Sequence, residues 1–353
     1  MVFMLISNFT PSPQEKPYWC WAAVTEMIAK QQISQENIVK SITNNESNNL
    51  ANFPYKISLI HTNVSMNAFQ HKHGLSCKEL KNQILANRIV AFEWLMDGRS
   101  NTHIQLIVGL IETKNETLLL TYDPLPVEVG QLSLIPYEVY NEPRLPTGRN
   151  THYSLKYTYF NFKNGERLIP FNADVLNLSN QRIKTSFSNQ NLIDEITDYF
   201  NSINSTLLDL KRSFGYSSSS ENEFKIELSS ELIYFNPQEL PETIDDFDII
   251  VGQILKTSKT LVIFKNHKVE FVVKLFRIST EDDWDLFQII LGPKSRLEEF
   301  ESEEYKVIMS FPNAGHSQDI APILSNKLRK TKKIDDYLYR TELYNNLKLT
   351  VKN

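Results

Sequence analysis

A cysteine flanked by two tryptophans lies near the N-terminus, in the segment Gln14-Glu15-Lys16-Pro17-Tyr18-Trp19-Cys20-Trp21-Ala22-Ala23. Apolar, helix-favouring residues follow Cys20, and Pro17 stands three residues before it, where a helix has not yet begun. The pattern therefore predicts that Cys20 starts a helix that runs to about Gln32, and Ser34 is the predicted N-cap of a second helix. The N–H groups and the dipole of a helix N-terminus favour a negative charge, and the thiolate is the nucleophilic form of cysteine. Six residues upstream, Gln14 carries an amide that can fold back and donate a hydrogen bond to an oxyanion.

The composition is typical of a soluble globular protein long enough for two domains. Of its 353 residues, 41% are hydrophobic and 22% are charged. A net charge of −5 gives no electrostatic basis for binding nucleic acid or an anionic membrane surface. Residues 1–9 lack the basic region and the apolar core of a signal peptide, and no apolar run is long enough to span a membrane. These features predict a cytoplasmic protein, while export by a signal-independent route stays open.

The two cysteines, Cys20 and Cys77, exclude a disulfide scaffold. The sequence also contains no Cys-x-x-Cys zinc motif and no glycine-rich phosphate loop, so we expect neither a metal nor a cofactor. Ser76 and Glu79 form a capping box that predicts a helix start, with Cys77 in its first turn. We interpret Cys77 as structural, because free cysteines are among the most buried residues.

A histidine and an aspartate are predicted to share one edge of a β-hairpin. From His103 onward, apolar residues alternate with a period of two, which predicts a strand. A turn at 113–117 leads to a second strand that ends at Asp123, just before a proline. Because the two strands run antiparallel, the start of one lies beside the end of the other. His152 also begins an alternating strand and is the alternative base, but it lacks an acidic partner at the end of a paired strand.

Gln14, Cys20, His103 and Asp123 occur in the order found in papain-like cysteine peptidases, which this segment resembles. The Trp-Cys-Trp-Ala-Ala start, the Gly-Leu-Ser-x-x-Glu-Leu helix, the interval of 83 residues from cysteine to histidine and the Asp-Pro ending are similar to compact bacterial members. These include bacteriocin-processing peptidase domains of transporters and secreted effector cysteine proteases. The resemblance covers residues 1 to about 165. It departs from many relatives at Thr102, where they carry glycine, and from papain in having Asp rather than Asn as the third residue.

The resemblance implies a role for each of these residues. His103 would remove the proton of the Cys20 thiol and later protonate the leaving amine. Asp123 would fix the tautomer of the imidazole and stabilise its charged form. Gln14 and the backbone N–H of Cys20 would bind the oxyanion. We therefore expect a thiol endopeptidase that acts on a protein or peptide substrate through a thioester acyl-enzyme.

Two other classes of function remain open at this point. A deamidase, a transamidase or an isopeptidase would use the same residues and differ only in the shape of the cleft. A peptidase-like module without activity would keep the fold for binding alone. The intact set of glutamine, cysteine, histidine and aspartate argues against such a module, because binding requires none of these groups.

The second half of the chain has a different pattern. A long amphipathic helix is predicted at 190–214, followed by a serine-rich connector after Gly215. Further strands are predicted near 224–228, 261–265, 269–278 and 284–291, helices near 242–256, 318–330 and 334–347, and the basic end of a helix at 327–333. The sequence thus predicts an α+β fold with two domains. Residues 1–168 would form a peptidase domain with an N-terminal helix packed on an antiparallel sheet, and residues 169–353 an α+β accessory domain that binds a substrate, a regulator or a partner protein.

Overall fold

The computed structural model describes residues 2–16, 19–43, 64–70, 74–96, 102–113, 116–125, 127–141, 145–146, 152–164, 185–216, 225–227, 231–234, 258–265, 268–277, 282–294, 297, 307–310, 330–333 and 338–342. The chain divides into two compact units. One comprises Met1–Leu145 and His152–Lys184, and the other comprises Pro146–Thr151 and Thr185–Asn353. The predicted boundary between residues 168 and 169 lies outside the described residues, so the domain assignment stays a prediction.

The first unit is an α+β structure, as the sequence predicts. Among its described residues, the helices are α1 (Cys20–Ile28), α2 (Gln35–Thr43), α3 (Cys77–Leu85) and α4 (Tyr137–Asn141). The described strands are β1 (Val2–Leu5), β2 (Val64–Gln70), β3 (Val90–Met96), β4 (Thr102–Glu112), β5 (Thr117–Asp123), β6 (Gln131–Pro136) and β8 (His152–Asn164). The two-residue β7 (Leu145–Pro146) spans the boundary between the two units. Within this unit the strands follow the order β6-β5-β4-β3-β8-β2, all antiparallel, and β1 pairs with the end of β4.

Helix α1 belongs to the core of the first unit. Every residue of α1 except Glu26 is buried, and the helix contacts α2 and the central strand β4. It ends at Ile28, earlier than the end predicted near Gln32. Lys30 and Gln31 adopt left-handed φ angles of 54° and 57°, and the N–H of Gln31 donates back to the Glu26 carbonyl at 2.8 Å. This C-terminal cap stops the helix although neither residue is a glycine.

The predicted hairpin is confirmed as the pair β4 and β5. Leu106 lies opposite Tyr122, and the register shifts between Ile107 and Gly109. Asp123 follows Tyr122 at the end of β5, next to the start of β4. The sheet thus brings the beginning of β4 and the end of β5 to the same edge.

Two predicted helix starts are also confirmed. The Ser76 hydroxyl accepts a hydrogen bond from the Glu79 N–H at 3.2 Å, which caps α3. The Ser34 hydroxyl accepts from the Asn37 N–H at 3.4 Å just before α2. Both helices therefore begin where their serine caps predict.

The described residues of the second unit contain one long helix and strands that form two groups. The helix is α5 (Leu192–Ser213), and the strands are β9 (Ser186–Phe187), β10 (Lys225–Glu227), β11 (Glu231–Tyr234), β12 (Ser258–Lys265), β13 (Lys268–Phe276), β14 (Trp284–Gly292), β15 (Val307–Ser310), β16 (Lys330–Lys333) and β17 (Leu338–Glu342). One group follows the order β10-β12-β13-β14 with β9 on β14, and the other follows the order β11-β15-β17-β16. Across the described parts of the chain, none of the helices has the length and apolarity needed to cross a bilayer.

Two helical predictions for the C-terminal part are wrong. Within the predicted helix 334–347, residues Leu338–Glu342 form strand β17. Within the basic segment 327–333, residues Lys330–Lys333 form strand β16, which pairs with β17. Partner strands supply hydrogen bonds that local periodicity does not reveal, and this context overrides the weak helical pattern. The predicted helix 242–256 and residues 318–329 of the other predicted helix lie outside the described residues.

We expect Gly109→Ala to destabilise the first unit. A Cβ at this position of β4 would lie 2.7 Å from the carbonyl oxygen of Met4, a backbone atom of the paired strand β1. Relieving the contact requires a backbone shift, so the free energy of unfolding should fall by roughly 1–3 kcal/mol. A lower urea midpoint measured by circular dichroism would show this loss.

The control for this substitution is Leu85→Ala, at a position 71% exposed. Removing an exposed side chain changes stability little, so this midpoint should stay near that of the parent protein. An unchanged midpoint for Gly109→Ala would contradict the close approach of β1 and β4.

Candidate active site

Cys20 is the first residue of α1, and it is 6% exposed. The N-cap residue Trp19 makes no side-chain hydrogen bond to the first turn of α1, and this turn contains no acidic residue. No cap side chain and no carboxylate of the first turn therefore competes with the Cys20 sulfur for the free N–H groups of this turn. The free N–H groups and the positive end of the helix dipole lie at the Cys20 end of α1.

The His103 side chain contacts both a carboxylate and a thiol. Its Nε2 lies 2.7 Å from Oδ1 of Asp123. Cys20 also acts on the pKa of this ring, through hydrogen bonding and through charge. Because Asp123 occupies Nε2, Nδ1 is the ring nitrogen left for the thiol. The structure thus brings together three of the residues singled out in the sequence.

The imidazole of His103 carries a proton at neutral pH. Burial by itself lowers the pKa of His103, but the charge and hydrogen bond of Asp123, together with Cys20, outweigh this effect and raise the pKa from 6.5 to about 10. A protonated imidazole beside a cysteine side chain is the cationic half of a thiolate–imidazolium pair.

The Asp123 carboxylate receives hydrogen bonds on both of its oxygens. Oδ1 accepts from His103 and from the backbone N–H of Leu125, the latter at 2.8 Å. Oδ2 accepts from Nε2 of Gln105 at 2.6 Å. Donors on both oxygens hold the carboxylate in one orientation, and the orientation of the His103 ring follows from it.

Gln105 is a site residue that the sequence analysis missed. The signal was present, because residues two apart on a strand point to the same face, and Gln105 lies two positions after His103. The alternation of β4 alone did not say that the side chain would meet Asp123. That contact depends on the register between β4 and β5.

Gln14 is buried and its backbone is bound to the segment that follows Asp123. Gln14 is 1% exposed. Its N–H donates to the Pro124 carbonyl at 2.9 Å, and its carbonyl accepts from the Glu128 N–H at 2.9 Å. Its side-chain Nε2 donates to the Lys16 carbonyl at 2.9 Å. An amide nitrogen carries two hydrogens, so one of them is left for a further acceptor.

Cys77 also starts a helix, but its surroundings differ from those of Cys20. Burial raises the pKa of the Cys77 thiol to about 11, against a smaller opposite effect of a hydrogen bond with Thr117. The thiol therefore stays protonated at neutral pH, where a protonated thiol is a poor nucleophile. This environment supports the structural interpretation of Cys77.

The alternative base, His152, is the first residue of β8. Strand β8 pairs with β3, which separates it from β4 and β5 in the strand order of this unit. The histidine hydrogen-bonded to Asp123 is His103.

We expect Asp123→Asn to lower the pKa of the His103 imidazole below its value of about 10. The amide keeps the shape of the side chain but removes the charge that raises this pKa, while burial continues to lower it. A pH titration of the His103 ring by NMR, assigned with a His103→Gln variant, measures the change. Glu112→Gln, on the same strand β4 but paired with Lys81, is the control and should leave the titration unchanged. An unaltered His103 titration in Asp123→Asn would contradict the assigned source of the shift.

Comparison with known proteins agrees with these observations. Residues 7–142 match the family model described as papain-like cysteine protease AvrRpt2. The matched segment contains Gln14, Cys20, His103 and Asp123 and ends before the second unit begins. No curated protein matches the chain. The resemblance indicated by the sequence is thereby confirmed: residues 7–142 form a papain-like bacterial cysteine peptidase segment, and the protein is a cysteine protease.

Proposed function

We propose that the protein is a cysteine endopeptidase with Cys20 as nucleophile, His103 as general base and acid, Asp123 as the orienting carboxylate and Gln14 as an oxyanion donor. The observation that supports this most directly is the contact of one imidazole with both a thiol and a carboxylate. Thiol, imidazole and carboxylate follow one another in the order that acyl transfer by cysteine requires. Because the matched family consists of cysteine proteases, the proposed substrate is a protein or peptide.

In the first half of the reaction, Cys20 and His103 act as a thiolate–imidazolium pair, with the proton on Nδ1 of His103. The thiolate attacks the carbonyl carbon of the scissile peptide bond, and Asp123 stabilises the imidazolium. The oxyanion of the tetrahedral intermediate accepts hydrogen bonds from the backbone N–H of Cys20 and from Nε2 of Gln14. His103 then protonates the leaving amine, which departs and leaves a thioester on Cys20.

In the second half, His103 acts as a base toward water. The water oxygen attacks the thioester carbonyl, and the same two donors bind the second oxyanion. Collapse of this intermediate breaks the carbon–sulfur bond, and the proton taken from water stays on His103. The products are a carboxylic acid and the restored thiolate–imidazolium pair of Cys20 and His103.

The second unit is proposed to serve as an accessory region rather than as part of the chemistry. All four proposed site residues belong to the first unit, and the family match stops at residue 142. Both cysteines of the chain also precede residue 78, so the second unit offers no thiol nucleophile. We propose that it binds a substrate, a regulator or a partner protein.

A deamidase, a transamidase or an isopeptidase would use the same thiol chemistry. Incubation with a protein mixture, followed by mass spectrometry, separates these activities. New peptide termini identify an endopeptidase, deamidated glutamine or asparagine identifies a deamidase, and amine incorporation or release at side chains identifies the other two. A binding module without activity would produce none of these products, and the raised pKa of His103 beside Cys20 argues against it.

We expect Cys20→Ala to abolish peptide cleavage, because no other side chain of the site supplies a thiolate. A thiol-reactive epoxide should label Cys20 in the parent protein, and mass spectrometry locates the label. Cys77→Ser is the matched control and should retain both labelling and turnover, since burial keeps the Cys77 thiol protonated. Turnover by Cys20→Ala, with Cys77→Ser folded but inactive, would overturn the assignment.

We expect Gln14→Ala to lower kcat by roughly 10²–10³-fold, equivalent to about 2.7–4 kcal/mol, because it removes a donor to the oxyanion. The KM should change much less, since the oxyanion exists only after attack. Gln32→Ala, at an exposed glutamine just after α1, is the control and should leave kcat unchanged. A normal kcat in Gln14→Ala would remove Gln14 from the proposed mechanism.

A further inference from the structure

A second buried glutamine, Gln35, holds the backbone on both sides of Gln14. Gln35 is the first residue of α2 and is fully buried. Its Nε2 donates to the Pro13 carbonyl at 2.9 Å, and its Oε1 accepts from the Glu15 N–H at 3.1 Å. The side-chain amide therefore pairs with the backbone as a neighbouring strand would, and the residue between the two bonded groups is Gln14.

The backbone of Gln14 itself is bound on the opposite edge. Its N–H and carbonyl make the hydrogen bonds to Pro124 and Glu128 described above. The segment 13–15 is thus held by four hydrogen bonds, two on each edge. Backbone torsion angles determine which rotamers a side chain adopts, so these bonds also set the direction of the Gln14 amide.

Gln35 also links this segment to the helix that carries the nucleophile. Its Nε2 lies 3.0 Å from Oε2 of Glu26, the one residue of α1 that is not buried. The Ser12 hydroxyl donates to the same carboxylate oxygen at 2.5 Å. One buried amide therefore connects the backbone around Gln14 with α1, which begins at Cys20.

We propose that Gln35 is a positioning residue of the oxyanion hole. Through Pro13 and Glu15 it holds Nε2 of Gln14 at the place where the negative oxygen of the tetrahedral intermediate forms. Oxyanion donors act because they are oriented in advance, and a displacement of about 1 Å costs roughly 10²-fold in rate. This inference rests on the proposed roles of Cys20 and Gln14, and it assigns to Gln35 a part in catalysis without any contact with the substrate.

The test is Gln35→Met, which keeps the length of the side chain and removes its hydrogen bonds. We expect kcat for a peptide substrate to fall by roughly 10- to 100-fold with little change in KM. The rate at which iodoacetamide alkylates Cys20 should stay the same, because alkylation creates no oxyanion. Damage to the Cys20–His103 pair would instead slow both reactions, and that result would overturn the proposal.

Gln83→Met is the matched control. Gln83 is 2% exposed, lies on α3 and donates through its own amide to Glu79 at 2.5 Å. The control thus makes the same substitution at a buried glutamine away from the Gln14 segment, and kcat should be unchanged. If Gln35→Met does not fold, Gln35→Glu together with Glu26→Gln replaces it. The second change removes the repulsion between two carboxylates, and the pair keeps the acceptor for the Glu15 N–H, loses the donor to Pro13 and should show the same fall in kcat.

A double variant tests whether Gln35 acts through Gln14. With Gln14→Ala in place, adding Gln35→Met should lower kcat by less than twofold, because the group that Gln35 positions is already gone. The proposal would be overturned if the reduction of kcat in the double variant equalled the product of the two single reductions. A normal kcat in Gln35→Met would also overturn it. Either result leaves the proposed function intact as long as Cys20→Ala is inactive and the epoxide labels Cys20. Activity of Cys20→Ala would overturn the proposed function itself.

Discussion

The antiparallel pairing of β4 with β5 is the constraint on which the site depends. It brings the start of one strand beside the end of the other, so that Asp123 reaches the ring of His103. Helix α1 packs against β4 and places Cys20 on the remaining side of the same imidazole. A slip of one residue in this register would turn every side chain of a strand to the opposite face of the sheet. The buried apolar side chains along both strands resist such a slip, and the stability of the core thereby maintains the geometry of the site.

Hydrogen bonds to buried polar groups both satisfy these groups and fix their positions in this structure. Buried amides and carboxylates need partners, and their partners here also fix their positions. Gln105 and the Leu125 N–H orient Asp123, while Gln35 binds the backbone around Gln14. The two cysteines illustrate the same dependence on partners. Both begin helices, yet Cys20 meets a protonated imidazole, whereas burial keeps the thiol of Cys77 protonated.

Local sequence signals predicted much of the fold because they reflect local physics. Serine caps marked the starts of α2 and α3, a period of two marked β4, and an amphipathic repeat marked α5. The failures occurred where pairing with another strand supplies the stabilising bonds. Strands β16 and β17 replaced predicted helix because they pair with each other and β17 also pairs with β15. Strand β2 gave no periodic signal, and it too is defined by its partner, β8.

The amino-acid sequence alone indicated the reacting groups and their order, because a thiol before a helix-forming run and a carboxylate ending a hairpin strand are local features. The fold determined the partners of these groups. The bonding of Asp123 to His103 rather than His152, the donation from Gln105 and the bracing of Gln14 by Gln35 all join residues far apart in the chain or on different strands. A glutamine amide carries no local pattern that names its partner. Only the register of the sheet brings the Gln105 amide to Asp123, and only the packing of α1 against α2 brings the Gln35 amide to the backbone around Gln14.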